Sequence, residues 1–405
     1  MKKIFPSNHL FLLLLGVLIF GLSSASAEED SGSLFSKASC DFALELLKVQ
    51  SKADEGNVVL SPSSVGVLLA IVQQGAQENT LTQLNNVLHM TSEESKNAFK
   101  ASLDLLRKEK ENVTLEWGNR IYVIPQYHIG ENFNKIITEN FGTEIEKISF
   151  TDPSPQEAAD KMNNWIKEVT HDNIKDFISP GSLSDSLRMI LLNAIYFKGL
   201  WDVPFKKMLT VNKKFESSPE SSVDVPFMTQ TERFLAGENS KMKIKWVDLP
   251  FKNEKFSMLF VLPTEKHRLN QVMEKINGDF LRKLINDEGT RHVTMRIPKF
   301  KLSKKLSLNG VLSMMGLNDL FTTAANLKGI APDDNLVVSQ VLHEANVEID
   351  EEGSVASAAT GIFFEVTSFI PTDNLDFIAD HPFLFFILDR ANKVPLFAGK
   401  VVNPL

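Results

Sequence analysis

Cysteine occurs once in this 405-residue chain, at Cys40. No disulfide can close within it, so stability has to come from a packed core. Cys40 falls in residues 36–49, where Ala38, Phe42, Ala43, Leu46 and Val49 recur at helical spacing, and a buried free thiol is the expected state. No Pro/Gly/Ser-rich linker divides the sequence, which argues for one large domain despite its length. Strong positive charge is also missing. The formal net charge is −8, and the basic stretches 107–110 and 241–245 are short and mixed with acidic or apolar residues. That leaves no electrostatic case for nucleic acid. Catalytic signatures are absent as well: there is no Gly-x-Ser-x-Gly elbow, no phosphate-cradling glycine loop and no cysteine pair for a metal. His343-Glu344 is followed by Ala345-Asn346-Val347, which breaks the zinc-helix pattern. The expectation is therefore a non-enzyme without cofactor or metal.

What is present begins with an address. Met1-Lys2-Lys3, an apolar run over 10–22 and the small residues Ala25-Ser26-Ala27 precede the acidic Glu28-Glu29-Asp30. This is the layout of a secretory signal peptide over residues 1–27, with a mature chain over 28–405. The apolar run is short for a membrane span, and no later segment is long and apolar enough, so no membrane association is expected. Asn112-Val113-Thr114 is an acceptor sequon, which makes Asn112 a glycosylation candidate in a secreted chain.

Periodicity places helices over about 36–49, 62–76, 80–88, 92–107, 153–169, 269–285 and 306–315. Ser61-Pro62 supplies a serine cap with proline at the first helical position. Strands are expected at 57–60, 114–124, 188–197, 292–301, 337–349, 383–388 and 396–402, with a strand-rich group over 227–262. The run 188–197 is continuously apolar and reads as a strand buried on both faces. In 114–124, Leu115, Trp117, Ile121 and Val123 share one parity, apart from a break near Gly118-Asn119. Helices dominate early and strands late. That order argues for an α+β fold with several sheets.

The stretch from Glu351 to Thr360 stands apart. It follows an alternating strand and reads Glu351-Glu352-Gly353-Ser354-Val355-Ala356-Ser357-Ala358-Ala359-Thr360. Small residues bury little area, so the segment should be an exposed loop, yet its side chains are small enough to enter a sheet. As a strand it would carry Ser354, Ala356, Ala358, Thr360, Ile362 and Phe364 on one face. A flexible linker is the plain alternative.

This segment resembles the hinge and proximal reactive loop of the serpins, and every position of that pattern is matched by Glu351, Glu352, Gly353, Ser354 and the small residues Ala356, Ala358 and Thr360. Three further motifs resemble the same family in the family's order: 57–64, Leu192-Asn193-Ala194-Ile195-Tyr196-Phe197-Lys198-Gly199-Leu200-Trp201, and the close from Asp380-His381-Pro382-Phe383 to Asn403-Pro404. The resemblance implies a single serpin-like domain with three β-sheets, eight or nine helices and a reactive loop over about 351–372. It implies a secreted, monomeric inhibitor that traps a serine protease by a suicide mechanism, with a non-inhibitory carrier as the alternative. Loop insertion in this family is a known case of strand addition driven by stored strain. The resemblance further implies a polar cluster controlling sheet opening at Ser61, Ser64, Asn193 and His343, with Trp201 near the point where insertion begins. A simple core role for Trp201 stays open.

In the family the scissile bond lies about fourteen residues beyond the hinge glycine, a reach suited to an extended strand. Here that count gives Thr367-Ser368, with cleavage at Phe364 or Phe369 as alternatives. Thr367 suits an elastase-like protease and phenylalanine a chymotrypsin-like one. No Arg or Lys occurs from Gly353 to Pro371, which disfavours a trypsin-like target.

Overall fold

The computed structural model describes residues 32–108, 113–252, 254–333, 335–353 and 374–405. Asn112, the hinge positions Ser354, Ala356, Ala358 and Thr360, and the bond positions Phe364, Thr367, Ser368 and Phe369 lie outside them.

A first helix, α1, covers residues 32–53. Then β1 (Val58–Leu60) runs straight into α2 (Pro62–Gln73), and Ser61 makes the junction. Its backbone is extended, its hydroxyl accepts the Ser64 N–H, and Pro62 occupies a helical position that needs no N–H. Next come α3 (Glu78–Leu88), α4 (Ser92–Lys108), β2 (Val113–Val123), α5 (Glu131–Phe141), β3 (Ile145–Lys147), α6 (Pro155–Val169) and β4 (Met189–Gly199). The strand-rich middle contains β5 (Val211–Ser218), β6 (Ser221–Asn239), β7 (Ile244–Pro250) and β8 (Phe256–Pro263). It is followed by α7 (Leu269–Lys275), α8 (Gly278–Ile285), β9 (Thr290–Pro298), β10 (Phe300–Ser307), α9 (Asn309–Met314) and β11 (Gln340–Ile349). The chain closes with β12 (Leu375–Ile378), β13 (Phe383–Asp389) and β14 (Val394–Val401). The expected α+β class holds, with nine α-helices among the described residues.

Among the described residues the strands form two hydrogen-bonded sheets. One has five strands in the order β10-β11-β4-β2-β3; the other has nine. The larger divides at β6, which pairs with β5 near its start, with β9 along its middle and with β7 at its end. The two halves and the five-stranded sheet make the three sheets expected, fused into two because one 19-residue strand serves both halves.

Two local expectations change. The strand expected over 292–301 is two strands, β9 and β10, in different sheets. Pro298 lacks an N–H, and the chain crosses between the sheets at Lys299. The helix expected over 306–315 starts at Asn309, because Leu306 and Ser307 are held in the ladder opposite His343 and Leu342.

Candidate functional site

Strands β11 and β4 lie side by side at the centre of the five-stranded sheet and run parallel, paired from Gln340↔Ile190 to Val347↔Phe197. Their outer neighbours are antiparallel: β10 against β11 and β2 against β4. A parallel ladder is slightly less stable per residue than an antiparallel one. The β11–β4 junction is thus a seam into which a strand antiparallel to both neighbours would fit, and it is much longer than the other parallel pairing of this sheet, β2 with β3 over Ile121–Val123.

A row of polar side chains bridges the seam. Asn119, Asn193 and His343 are register partners on β2, β4 and β11. The Ser61 N–H donates to His343 Nε2 at 3.0 Å, which leaves the ring proton on Nδ1, facing Asn193 Oδ1 at 2.5 Å. The Asn193 amide in turn donates to Asn119 Oδ1 at 2.7 Å. Ser61 Oγ donates to the Leu396 carbonyl at 2.7 Å, tying the row to β14. His343 and Asn193 are both fully buried. Burial drives the His343 pKa down to about 3, so the ring is neutral, as its acceptor role at Nε2 requires.

Ser61, Asn193 and His343 therefore come together as expected. Ser64 joins only through its backbone N–H to Ser61 Oγ, and its own hydroxyl is buried without a hydrogen-bond partner. Asn119 is a member that the sequence reading passed over. It sits on the parity of Leu115, Trp117, Ile121 and Val123, a polar residue in an apolar stripe, just as Asn193 interrupts the apolar run 188–197.

The other end of the seam is where the chain leaves β11. Trp201, just past β4, holds it twice: its N–H donates to the Glu352 carbonyl at 2.9 Å and its indole Nε1 to the Asp350 carbonyl at 3.0 Å. The ring is buried and stacks on Phe251, with centroids 4.7 Å apart and planes 6° off parallel. Trp201 is both a core aromatic and an anchor for the hinge.

Glu351 and Glu352 are anchored as well. The Glu351 carbonyl accepts the Phe205 N–H, and its carboxylate takes Lys299 at 2.8 Å and Thr210 Oγ1 at 2.8 Å. Burial pushes the Glu351 pKa up, and these two partners more than offset it, leaving it below the usual range. Glu352 pairs with the exposed Lys207 at 2.7 Å.

Gly353 closes this end in a tight turn capped by Asp350, whose carboxylate accepts the Glu352 and Gly353 N–H groups. Its φ of +122° favours glycine, and a Cβ there would lie 2.1 Å from the Gly199 carbonyl oxygen. The chain is thus brought against the end of β4, already turning, at the mouth of the seam. Lys207, Thr210 and Lys299 carried no sequence signal, because each acts on the hinge from a separate segment.

Among the described residues no group of three or more His, Cys, Asp or Glu side chains stands together in a way that could hold a metal ion. No helix of the described residues is long and apolar enough to cross a membrane.

Comparison with known proteins matches this architecture. The family model described as "Serpin (serine protease inhibitor)" matches residues 37–404. A Drosophila melanogaster protein named serine protease inhibitor 42Dd is 35% identical over 370 residues, covering 90% of this chain and 96% of its own. Rat leukocyte elastase inhibitor A, from Rattus norvegicus, is 31% identical over 378 residues, covering 91% and 99%. The crystal structure of a Manduca sexta serpin superposes with a TM-score of 0.82 at 30% identity, covering 91% of this chain and 98% of that one. The fold, the hinge at the mouth of a parallel seam and these similarities agree: the chain belongs to the serpins, a family of serine protease inhibitors.

Proposed function

We propose that this serpin is a secreted suicide inhibitor of serine proteases. The protease attacks the loop after Gly353 and forms an acyl-enzyme through its own serine. The cut loop then enters the β11–β4 seam and carries the protease away before deacylation. The observation that carries this reading is the parallel pairing of β11 and β4 with the hinge turned at their end. A segment continuing from β11 through a reversal at Gly353 arrives antiparallel to both strands. Insertion exchanges one parallel ladder for two antiparallel ones, at a net gain on the order of 1 kcal/mol per added hydrogen bond.

Strand β4 is 11 residues long. A strand entering beside Gly199 at Ser354 reaches the level of Met189 at Phe364. A bond at Thr367-Ser368 lies just beyond that stretch, and Phe364 or Phe369 are the neighbouring alternatives. Ser354, Ala356, Ala358 and Thr360 then take the inward face of the new strand. In this reading Ser61, Asn193 and His343, with Asn119, hold the seam closed until cleavage, while Trp201 fixes the entry point. Residues 1–27 form the signal peptide, 28–405 the mature monomeric domain, and Asn112 bears the glycan. The target is elastase-like or chymotrypsin-like. The loop's lack of basic residues supports this, as does the similarity to a protein named leukocyte elastase inhibitor.

The test is to mix the protein with a panel of serine proteases and run denaturing gels. A complex that survives boiling in detergent is expected, and the C-terminal peptide released from it should begin at Ser368. Cleavage of the loop with full recovery of protease activity across the panel would contradict inhibition and favour the carrier alternative.

A further inference from the structure

Seven large apolar side chains are exposed among the described residues, and four of them lie within nine positions: Val203, Met208, Leu209 and Val211, with Met208 70% exposed. Scattered single exposures need no explanation, but a cluster does. The same stretch, residues 203–215, carries Lys206, Lys207, Lys213 and Lys214 and no acidic residue, in a chain whose net charge is −8. All four lysines are exposed. Lys207 is engaged with Glu352, whereas Lys206, Lys213 and Lys214 have no ion-pair partner among the described residues. The stretch ends in β5, which among the described residues pairs as a strand with β6 alone, while the Glu216 N–H on it donates to the Asp380 carbonyl.

The patch is joined to the loop at both ends. On the proximal side, Phe205 N–H and Thr210 Oγ1 hold Glu351, and Lys207 holds Glu352. On the distal side, the chain re-enters at β12, which pairs with β9, itself paired with β6 next to β5. The patch thus adjoins the point where the chain leaves for the loop and, through β6 and β9, the strand to which it returns.

We propose that this patch is a docking surface for the target protease, and that it fits a protease with acidic and apolar residues beside its active-site cleft. The proposal rests on the inhibitory reading above and deepens it by assigning part of the target selection to residues outside the loop. Apolar side chains interleaved with the lysines favour a protein partner over a sulfated polysaccharide, which would use the charge and leave Met208 and Leu209 without a role. Steering by three unpaired lysines acts on association rate and is weakened by salt.

The experiment measures how fast the intact loop is consumed, as complex plus cleaved product, by an elastase and a chymotrypsin at low and high salt. It compares the wild-type chain with Lys206→Glu/Lys213→Glu/Lys214→Glu and with Met208→Ser/Leu209→Ser. For the protease that consumes the wild type fastest, the charge variant should be slowed about tenfold, with its salt dependence abolished, and the apolar variant should be slowed too. Equal rates, within twofold, for all three proteins with both proteases would overturn the proposal. The split between trapped complex and cleaved product reports separately on the inhibitory mechanism, so docking can fail while inhibition stands, and the reverse. Two other results would also overturn it. One is a wild type that sediments as a dimer while the apolar variant is a monomer, which gives the patch to a second copy. The other is heparin binding lost in the charge variant while loop consumption stays unchanged, which gives it to a polyanion.

Discussion

His343 and Asn193 are register partners across the parallel β11–β4 pair, and their side chains meet at 2.5 Å with both residues fully buried. A buried polar atom that loses its partner costs about 1–3 kcal/mol. Asn193→Ala strands the buried His343 Nδ1–H, takes the donor from the half-buried Asn119 carbonyl and leaves a cavity at a fully buried position. It should destabilise the native chain by about 2–4 kcal/mol, read as a lower denaturant midpoint at unchanged slope. A loss below about 0.5 kcal/mol would show that the row contributes nothing to holding the seam.

The same row gives a pH dependence. His343 is held neutral, with its pKa lowered to about 3 by burial, whereas an unfolded histidine titrates near 6.5. Its contribution to stability is therefore complete above about pH 6.5 and lost as pH falls toward 3, at about 1.4 kcal/mol per pH unit. Glu344, Asp248 and Asp389 act in the opposite sense, since burial raises their pKa values and the native state gains protons first. The comparison of wild type with His343→Gln between pH 4 and 7 isolates the histidine. The wild type should lose stability faster on acidification, and identical slopes would contradict a neutral, seam-holding ring.

At the hinge, Gly353→Ala places a methyl group against the Gly199 carbonyl in a backbone conformation that alanine rarely adopts. Strain of this kind costs about 1–3 kcal/mol, so the turn should open and release its hold on Trp201. Faster amide exchange at Trp201 and Phe205, whose N–H groups donate to Glu352 and Glu351, is the expected readout. Unchanged exchange there would mean that Gly353 is not what sets the turn.

Ser354→Arg tests the next position. An arginine entering the sheet interior would bury an unpaired charge at a cost of several kcal/mol. Insertion should slow, and more inhibitor should be consumed per protease inactivated. An unchanged stoichiometry would remove Ser354 from the inserted face.

These features were unevenly legible in the sequence. The apolar run that became β4 and the serine cap of α2 are local signals, and each is found where it was read. Helix α5 and the short strand β12 went unread, the latter because four residues carry too little pattern to distinguish. The β9–β10 division was marked only by Pro298 and a one-residue slip in the alternation, from Val293, Met295 and Ile297 to Phe300, Leu302 and Leu306, which is too small a break to separate two strands by pattern alone. The seam itself was not readable from the residues alone: Asn119 and Asn193 are 74 positions apart, Asn193 and His343 are 150, and only the register joins them.

The central claim is that β11 and β4 separate to admit the loop. Asn346 and Tyr196 are partners across the seam and are both half-exposed, so Asn346→Cys/Tyr196→Cys, in a Cys40→Ser background, sets two cysteines on adjacent strands with Cα atoms about 5 Å apart, within the range a disulfide spans. The measurement is the yield of detergent-stable complex with a susceptible protease, before and after reduction. The oxidised protein should be cleaved in its loop and leave the protease active, and reduction should restore the complex. A full yield of complex from the oxidised, locked protein would contradict insertion at this seam.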